Sequence, residues 1–501
     1  LDFPDTDLVA AYQAAAGRNV LAALNPDVFP GYWSVCADGI GHGFGNTYPA
    51  LDGHQMTDAL LWLGRIGEVQ ANWDYVRSFQ RPDGQLPFAI LPALAGQPLC
   101  APGDTQTPLT HVDANGGLYQ HWVPNNPLRA LGYPTYVQNA DAIFRHTRDL
   151  AWLRAQLPSI NLALAHLTTM ISDEGLVGGA GYYVERPTRV EYDGVTQCHA
   201  CEAFQMAAEL NALAGEHVIA AGQHALAERL RLVFQSRFWN GRQFIEYFHP
   251  QRGAIAGHGL TDVDWSAIAL GLATPEQRDA LWPLLRNEPG FYYGGMPTGI
   301  AAHPAAYEDW EFSFNDRMDL AAMGRVWYIE ARARAAMGDA AGLFESIRRV
   351  VAMGARQGYD WDERYNTEGG FGVTRYCEYP ANLIRIMQRF ALGITCELDG
   401  SLSLAPTVLP GHWAAGFGQT LHLGARTLSY RFAARCFRAT YSGPGIPRLS
   451  VRMPFPVQEA SCRITLDGQR VVAPCKEGRL ELPLAAASAD APCQISVIFT
   501  D

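Results

Sequence analysis

The sequence predicts a mainly α protein that closes with an antiparallel β-sandwich. Two observations carry this. Apolar residues recur at the helical period of about 3.6 from near the start of the chain to about residue 393. From about residue 397 the pattern changes to short alternating runs split by Gly, Pro and Asp-Gly turns. The expected domains are residues 1–395, helical, and 396–501, the sandwich.

Taken in order, the helical segments are DLVAAYQAAAGRNVLAAL, HQMTDALLWLGRIG, VQANWDYVRSFQ, TYVQNADAIFRHT, DLAWLRAQLPSINLALAHLTTMI, TQCHACEAFQMAAELNALAG, EHVIAAGQHALAERLRLVFQSRFW, TPEQRDALWPLL, DRMDLAAMGRVWYIEARARAAMG, AAGLFESIRRVVAMGARQG and the helix from Pro380. Short connectors such as AGEH and MGDAA join several of them, as in αα-hairpins. Between the pairs lie long segments rich in Gly, Pro, Trp and Tyr, and long unstructured connections in a compact domain are usually functional. The strand segments are SLSLAPTV, QTLHLGARTLSYRF, FRATYSG, RLSVRMPF, CRITLDGQRVV, RLELPL and CQISVIFT.

Composition narrows the function classes. The 501 residues are 48% hydrophobic and 18% charged, enough for a large core and without the signature of disorder. A formal net charge of −12, with no basic run, argues against nucleic acid. No stretch reaches the roughly 18–20 apolar residues of a membrane span. The expectation is a soluble protein, and a processed start would have erased any export signal. The ten cysteines are too sparse for a disulfide scaffold, although Cys462 and Cys475 are placed to bridge a strand pair. Cys198 and Cys201 have metal-like spacing but no second pair answers them, so packing on a helix face is the better reading. No metal or cofactor is expected.

The hairpin series looks like an (α/α)6 barrel, a fold shared by hydrolases, epimerases, lyases and phosphorylases. Three stretches are more specific: TYPALDGHQMTDALLWLG followed by FQRPDGQLP, then VEYDGVTQCHACEAFQMAAELNALAG, then WDERYNTEGG. Together they resemble the inverting glycoside hydrolases of the trehalase and processing α-glucosidase type, families 37 and 63. The trailing sandwich is more like the α-L-rhamnosidase families. Thr196 stands where the family pattern has Ser.

That resemblance implies an exo-acting inverting glycoside hydrolase with an oligosaccharide or glycoside substrate. It places the general acid on Asp193, the general base on Glu363 and a sugar-holding carboxylate on Asp52. An inverting enzyme holds its acid and base about 6.5–9.5 Å apart to admit a water. Each role has a plain alternative. Asp193 and Asp52 fit helix caps, and Glu363 fits a partner of Arg364 or Arg375. Glu185 and Glu191 compete for the acid, and Glu368 for the base. Trp310 and Glu311 line the pocket or supply the base. Trp33, Tyr48 and Trp122 are platform candidates for sugar rings, against ordinary packing, and His54, His111 and His121 read as loop histidines. A sugar epimerase or isomerase using His pairs, a lyase, and a non-catalytic carbohydrate-binding protein are the competing classes.

Overall fold

The computed structural model describes residues 1–37, 51–87, 90, 110–111, 119–120, 128–183, 189–312, 317–453, 462–473, 475–476 and 479–499. Among these, twelve α-helices precede residue 387: α1 (Thr6–Ala14), α2 (Leu51–Trp62), α3 (Ile66–Ser78), α4 (Gly132–Thr147), α5 (Leu150–Thr168), α6 (Gly194–Ala214), α7 (His217–Val233), α8 (Asp262–Ala269), α9 (Pro275–Leu285), α10 (Gly324–Ala336), α11 (Ala340–Arg356) and α12 (Glu378–Ile386). The even-numbered helices pack each on the next, and α12 returns to α2, so they form a closed inner ring. Each of α3, α5, α7, α9 and α11 packs outside the inner helix that precedes it, and α1 lies against α11 and α12.

The sequence explains which helix goes where. In α11, Leu343, Phe344, Ile347, Val350 and Val351 face the core while Glu345 and Arg348 face solvent, the amphipathic stripe of an outer helix. In α4 nearly every residue from Tyr133 to Phe144 is buried, as a helix covered on both sides requires. Helix α8 is absent from the periodic segments read from sequence, and the reason is physical. All eight of its residues are buried, so it has no polar face to create a period. It begins at a Thr261–Asp264 capping box.

The ring is clasped where its ends meet. Asp58 of α2 accepts from Arg385 Nε at 2.8 Å and from Arg389 Nε and Nη2 at 2.7 Å each. Burial pushes the Asp58 carboxyl up, but the two guanidiniums outweigh it and hold the group far below the usual carboxylate range.

The sheet region begins at Ile394. One sheet runs in the order Cys475–Lys476, Arg479–Leu484, Ile446–Arg452, Leu402–Leu404, Ile394–Cys396. The other runs Gln469–Val471, Cys462–Leu466, Cys493–Phe499, Cys436–Ser442, Arg426–Ala433, Phe417–Leu423. Two details differ from expectation. Leu402–Leu404 pairs parallel with Leu449–Val451, because a strand reached by crossing between sheets is not forced antiparallel as a hairpin partner is. Cys462 and Cys475 lie on strands of different sheets, so the strands that carry them are not paired with each other.

Barrel and sandwich share one apolar core, with Phe3 and Phe344 of the barrel region clustered with Phe417 and Phe432 of the sheet. Buried Arg426 donates to the Arg145 and His146 carbonyls at 3.0 and 3.1 Å, satisfying the end of α4.

Candidate active site

The inner helices of such a ring run in one direction, so their amino-terminal ends share one rim. Asp52 lies in the first turn of α2, Asp193 is the cap of α6, Asp262 opens α8, Arg325 is the second residue of α10, and Glu378 opens α12. Helix amino termini carry partial positive charge, which favours carboxylates there.

Arg189 is the centre of one cluster. Its side chain is 1% exposed and contacts three fully buried carboxylates, Asp193 Oδ1 at 2.5 Å, Glu246 Oε1 at 2.8 Å and Asp262 Oδ1 at 2.5 Å. Asp193 Oδ2 accepts from the Thr196 N–H at 2.9 Å, the Thr196 hydroxyl at 3.1 Å and the Tyr182 N–H at 3.2 Å. It is therefore a saturated cap. Burial, with repulsion from Asp193, lifts the Asp262 carboxyl to about 7 despite Arg189. Burial also lifts Asp264 to about 7, although its oxygens accept the Phe244 and Thr261 N–H groups.

The cluster continues through His258. Its Nδ1 meets Glu246 Oε2 at 2.5 Å and its Nε2 meets Glu311 Oε2 at 3.1 Å, with the ring stacked 3.6 Å from that of Tyr307. Burial opposes the charge, but the two carboxylates prevail and raise the imidazole to about 9. Glu311 also accepts from the Tyr247 hydroxyl at 2.6 Å. Burial pushes Glu311 up, yet these bonds hold it below the ordinary range.

WDERYNTEGG forms a β-hairpin, Asp362–Asn366 paired with Gly369–Thr374. Gly369 and Gly370 open its second strand, and α12 starts eight residues later at Glu378. The Gly at 370 is needed because a Cβ there would overlap the Asp362 carboxylate. Glu363 is buried, with Oε2 accepting the Val373 N–H at 3.2 Å and Oε1 2.9 Å from Arg364. Arg364 in turn reaches Asp319 at 3.3 Å.

The other expected residues divide as follows. Asp52 is not a cap; its Oδ1 accepts from Gln55 at 2.9 Å and from the Tyr376 hydroxyl at 3.1 Å, facing the same rim. Trp33 is 3% exposed within the hydrophobic core, so it packs and presents no platform. Trp310 is partly exposed, bonded through Nε1 to Glu308 and covered by Arg252 at 3.9 Å. Glu368 stands exposed on the hairpin turn, away from the buried Glu363. Glu191 is held by Arg129 at 2.8 Å. Tyr48, Trp122, Glu185 and His121 lie outside the described residues, as does the side chain of His111. Cys198 and Cys201 are buried thiols, and among the described residues no group of three or more His, Cys, Asp or Glu is placed to hold a metal.

Arg189, Glu246, His258 and Asp262 were not legible as site residues. The one local signal is TDVD, whose capping box marks a helix start. Nothing in sequence joins it to Arg189, 73 positions away.

A cavity of about 290 Å³ lies among the inner helices, lined by His54, Asp58, Glu202, Arg325, Arg332 and Arg385 among others. Its cations are matched: Arg332 meets Glu202 at 2.8 Å and Arg325 meets Glu378 at 2.8 Å. His54 is held neutral, down to about 3, by burial and the neighbouring Arg385.

The closed ring with its outer helices and trailing sheets is the six-hairpin (α/α)6 barrel with a C-terminal β-sandwich. Solved structures agree. A GH78 family rhamnosidase of Bacillus sp. GL1 superposes with TM-score 0.62 at 14% identity, over 88% of this chain and 41% of that one. The alpha-L-rhamnosidase from Dictyoglumus thermophilum gives TM-score 0.62 at 11% identity, over 99% of this chain and 50% of that one. The GH63 mannosylglycerate hydrolase from Thermus thermophilus gives TM-score 0.52 at 12% identity, over 77% of this chain and 99% of that one. The chain thus spans half or less of these two rhamnosidases, and identities this low speak for fold alone. No protein-family model and no curated protein matches the chain. Among the described residues no helix is long and apolar enough to cross a membrane.

Proposed function

We propose that the protein is an exo-acting glycoside hydrolase that cleaves with inversion, using a carboxylate pair at the amino-terminal rim of its barrel. The observation that supports this is that Asp193, Asp262, Glu311 and Glu363, although as far apart in sequence as residues 193 and 363, all lie at the start of inner helices α6 and α8 or in the segments that lead into α10 and α12. Glu363 is the base, deprotonating water, and Asp193 the acid. A second assignment puts the acid on Asp262, favoured because its carboxyl is lifted to about 7, where a group can hold a proton and still donate it. Among sugars, α-L-rhamnosides are the first to test, since the rhamnosidase likeness extends over the sandwich while the GH63 likeness covers 77% of the chain.

The experiment is hydrolysis of aryl glycosides and oligosaccharides, with the product anomer followed by NMR. The first-formed sugar should have the anomeric configuration opposite to the substrate, because water attacks directly. Retention, or interconversion of free sugars without bond cleavage, refutes the reading. Asp193→Asn or Asp262→Asn identifies the acid. The responsible change slows poor leaving groups by about 10²–10⁴-fold while sparing activated ones.

A further inference from the structure

We propose that the outward face of the six-stranded sheet is a second binding surface, for an acidic polysaccharide. Strand register sets one row of side chains straight across this face: Arg470, Thr465, Ser496, Arg438 and Arg431, ending at Gly418. Strands lie about 4.8 Å apart, so a row of six spans about 24 Å. The adjoining row is Gln494, Thr440, Ser429 and Thr420. Both rows border a shallow basin of about 870 Å³.

Three features of the face point to the ligand. Arg431 and Arg438 are exposed and directly opposite one another, an arrangement that costs stability between like charges and persists here on a protein of net charge −12. Arg470 and Arg463 extend the cationic character to the far strands, whereas the acids described on this face are Asp2, which pairs with Arg431, and Asp467, whose Oδ1 accepts the Gln494 N–H at 2.7 Å. The remaining positions of the two rows carry hydroxyl or amide groups, apart from the edge glycine. They match sugar hydroxyls in size and in their ability both to donate and to accept.

The described phenylalanine and tyrosine rings of this sheet, Phe417, Tyr430, Phe432, Phe437 and Tyr441, are buried on its inner side. Among the described residues the outer face thus lacks the stacking platform that single-stranded nucleic acid uses. What remains is a set of guanidinium forks, suited to carboxylate or sulfate, within a field of hydrogen-bonding groups. The choice of a glycan over other polyanions rests on the reading of the barrel as a glycosidase.

The test is affinity electrophoresis of the full chain through gels containing polygalacturonate, dextran sulfate or neutral dextran, with duplex DNA as a further arm. Retardation by polygalacturonate or dextran sulfate, absent in neutral dextran and weakened by salt, is expected, and the comparison of the two polymers tells carboxylate from sulfate. Arg438→Gln combined with Arg470→Gln should weaken binding by about tenfold per guanidinium removed, with the melting temperature no lower than the parent's, since an opposed pair of like charges is relieved, and aryl glycoside turnover unchanged. Glu363→Gln should bind as the parent does, so loss of glycosidase activity and loss of this surface are separate results. No retardation, equal retardation in neutral dextran, tighter retention on DNA, or full binding by the folded double variant would each overturn the proposal.

Discussion

Replacing Arg189 by Met keeps much of the side chain's volume and removes its charge from among three buried carboxylates. Asp193 would keep its Thr196 and Tyr182 donors, and Glu246 would keep His258 and the Tyr307 hydroxyl. Asp262, whose charge partner is Arg189, loses most. Removing one partner of a buried ion pair costs about 3–5 kcal/mol. Unfolding entropy of about 2.1 cal/mol/K per residue, over a chain of 501 residues, makes 1 kcal/mol worth about 1 °C. The melting temperature should therefore fall by about 3–5 °C near neutral pH. The sign of the pH dependence is fixed: freed carboxyls have folded pKa values above their unfolded ones, so the native variant binds extra protons as pH falls. Its deficit should shrink between about pH 8 and about pH 5.5. Calorimetry of parent and variant at both pH values measures this. A variant within about a degree of the parent at pH 8, or a deficit that grows on acidification, would refute the claim that Arg189 offsets this cluster.

Native stability should peak near neutrality, measured as the urea midpoint across pH. Burial holds His54 and His146 down to about 3 and His199 to about 4, so their contribution is lost as pH falls below 6.5, opposed in part by Asp262 and Asp264, raised to about 7. His258, raised to about 9, stabilises fully below 6.5 and loses that contribution as pH rises toward 9; a midpoint still climbing over that range would contradict its place between two carboxylates. Gly372→Ala puts a Cβ 2.5 Å from Glu363 Oε2 at a backbone φ of +86°, and should lower turnover by about 10²-fold through misplacement of that carboxylate; parent-like kcat would argue against a catalytic Glu363. Glu368→Gln, on the exposed turn, should leave kcat within a few-fold, and Glu363→Gln should slow activated and natural glycosides alike.

Most of the ring was legible because an outer helix must bury one stripe and expose the other, as Leu343 to Val351 of α11 do. The fully buried α8 left no such trace. Single residues were harder. Asp193 reads equally as a cap or an acid, and the structure shows the cap bonds outright; a saturated cap at a rim is compatible with either duty, so sequence had no means to choose. Trp33 looked like a sugar platform because local sequence carries no record of what covers a tryptophan. The Arg189 and His258 cluster escaped because its members come from separate loops, and only ring closure brings them together.

That closure has a consequence for how the chain is made. The clasp of Asp58 by Arg385 and Arg389 spans 327 and 331 positions. A ribosome must therefore deliver more than 300 further residues after Asp58 before the second helix meets its final neighbour. Until then the earlier hairpins stand as an open arc with an apolar flank at each end, and exposed surface of that kind makes partly folded chains prone to aggregate. Because contacts so distant in sequence slow folding, synthesis in the cell favours a route in which chaperones shield the two flanks of the arc until α12 emerges.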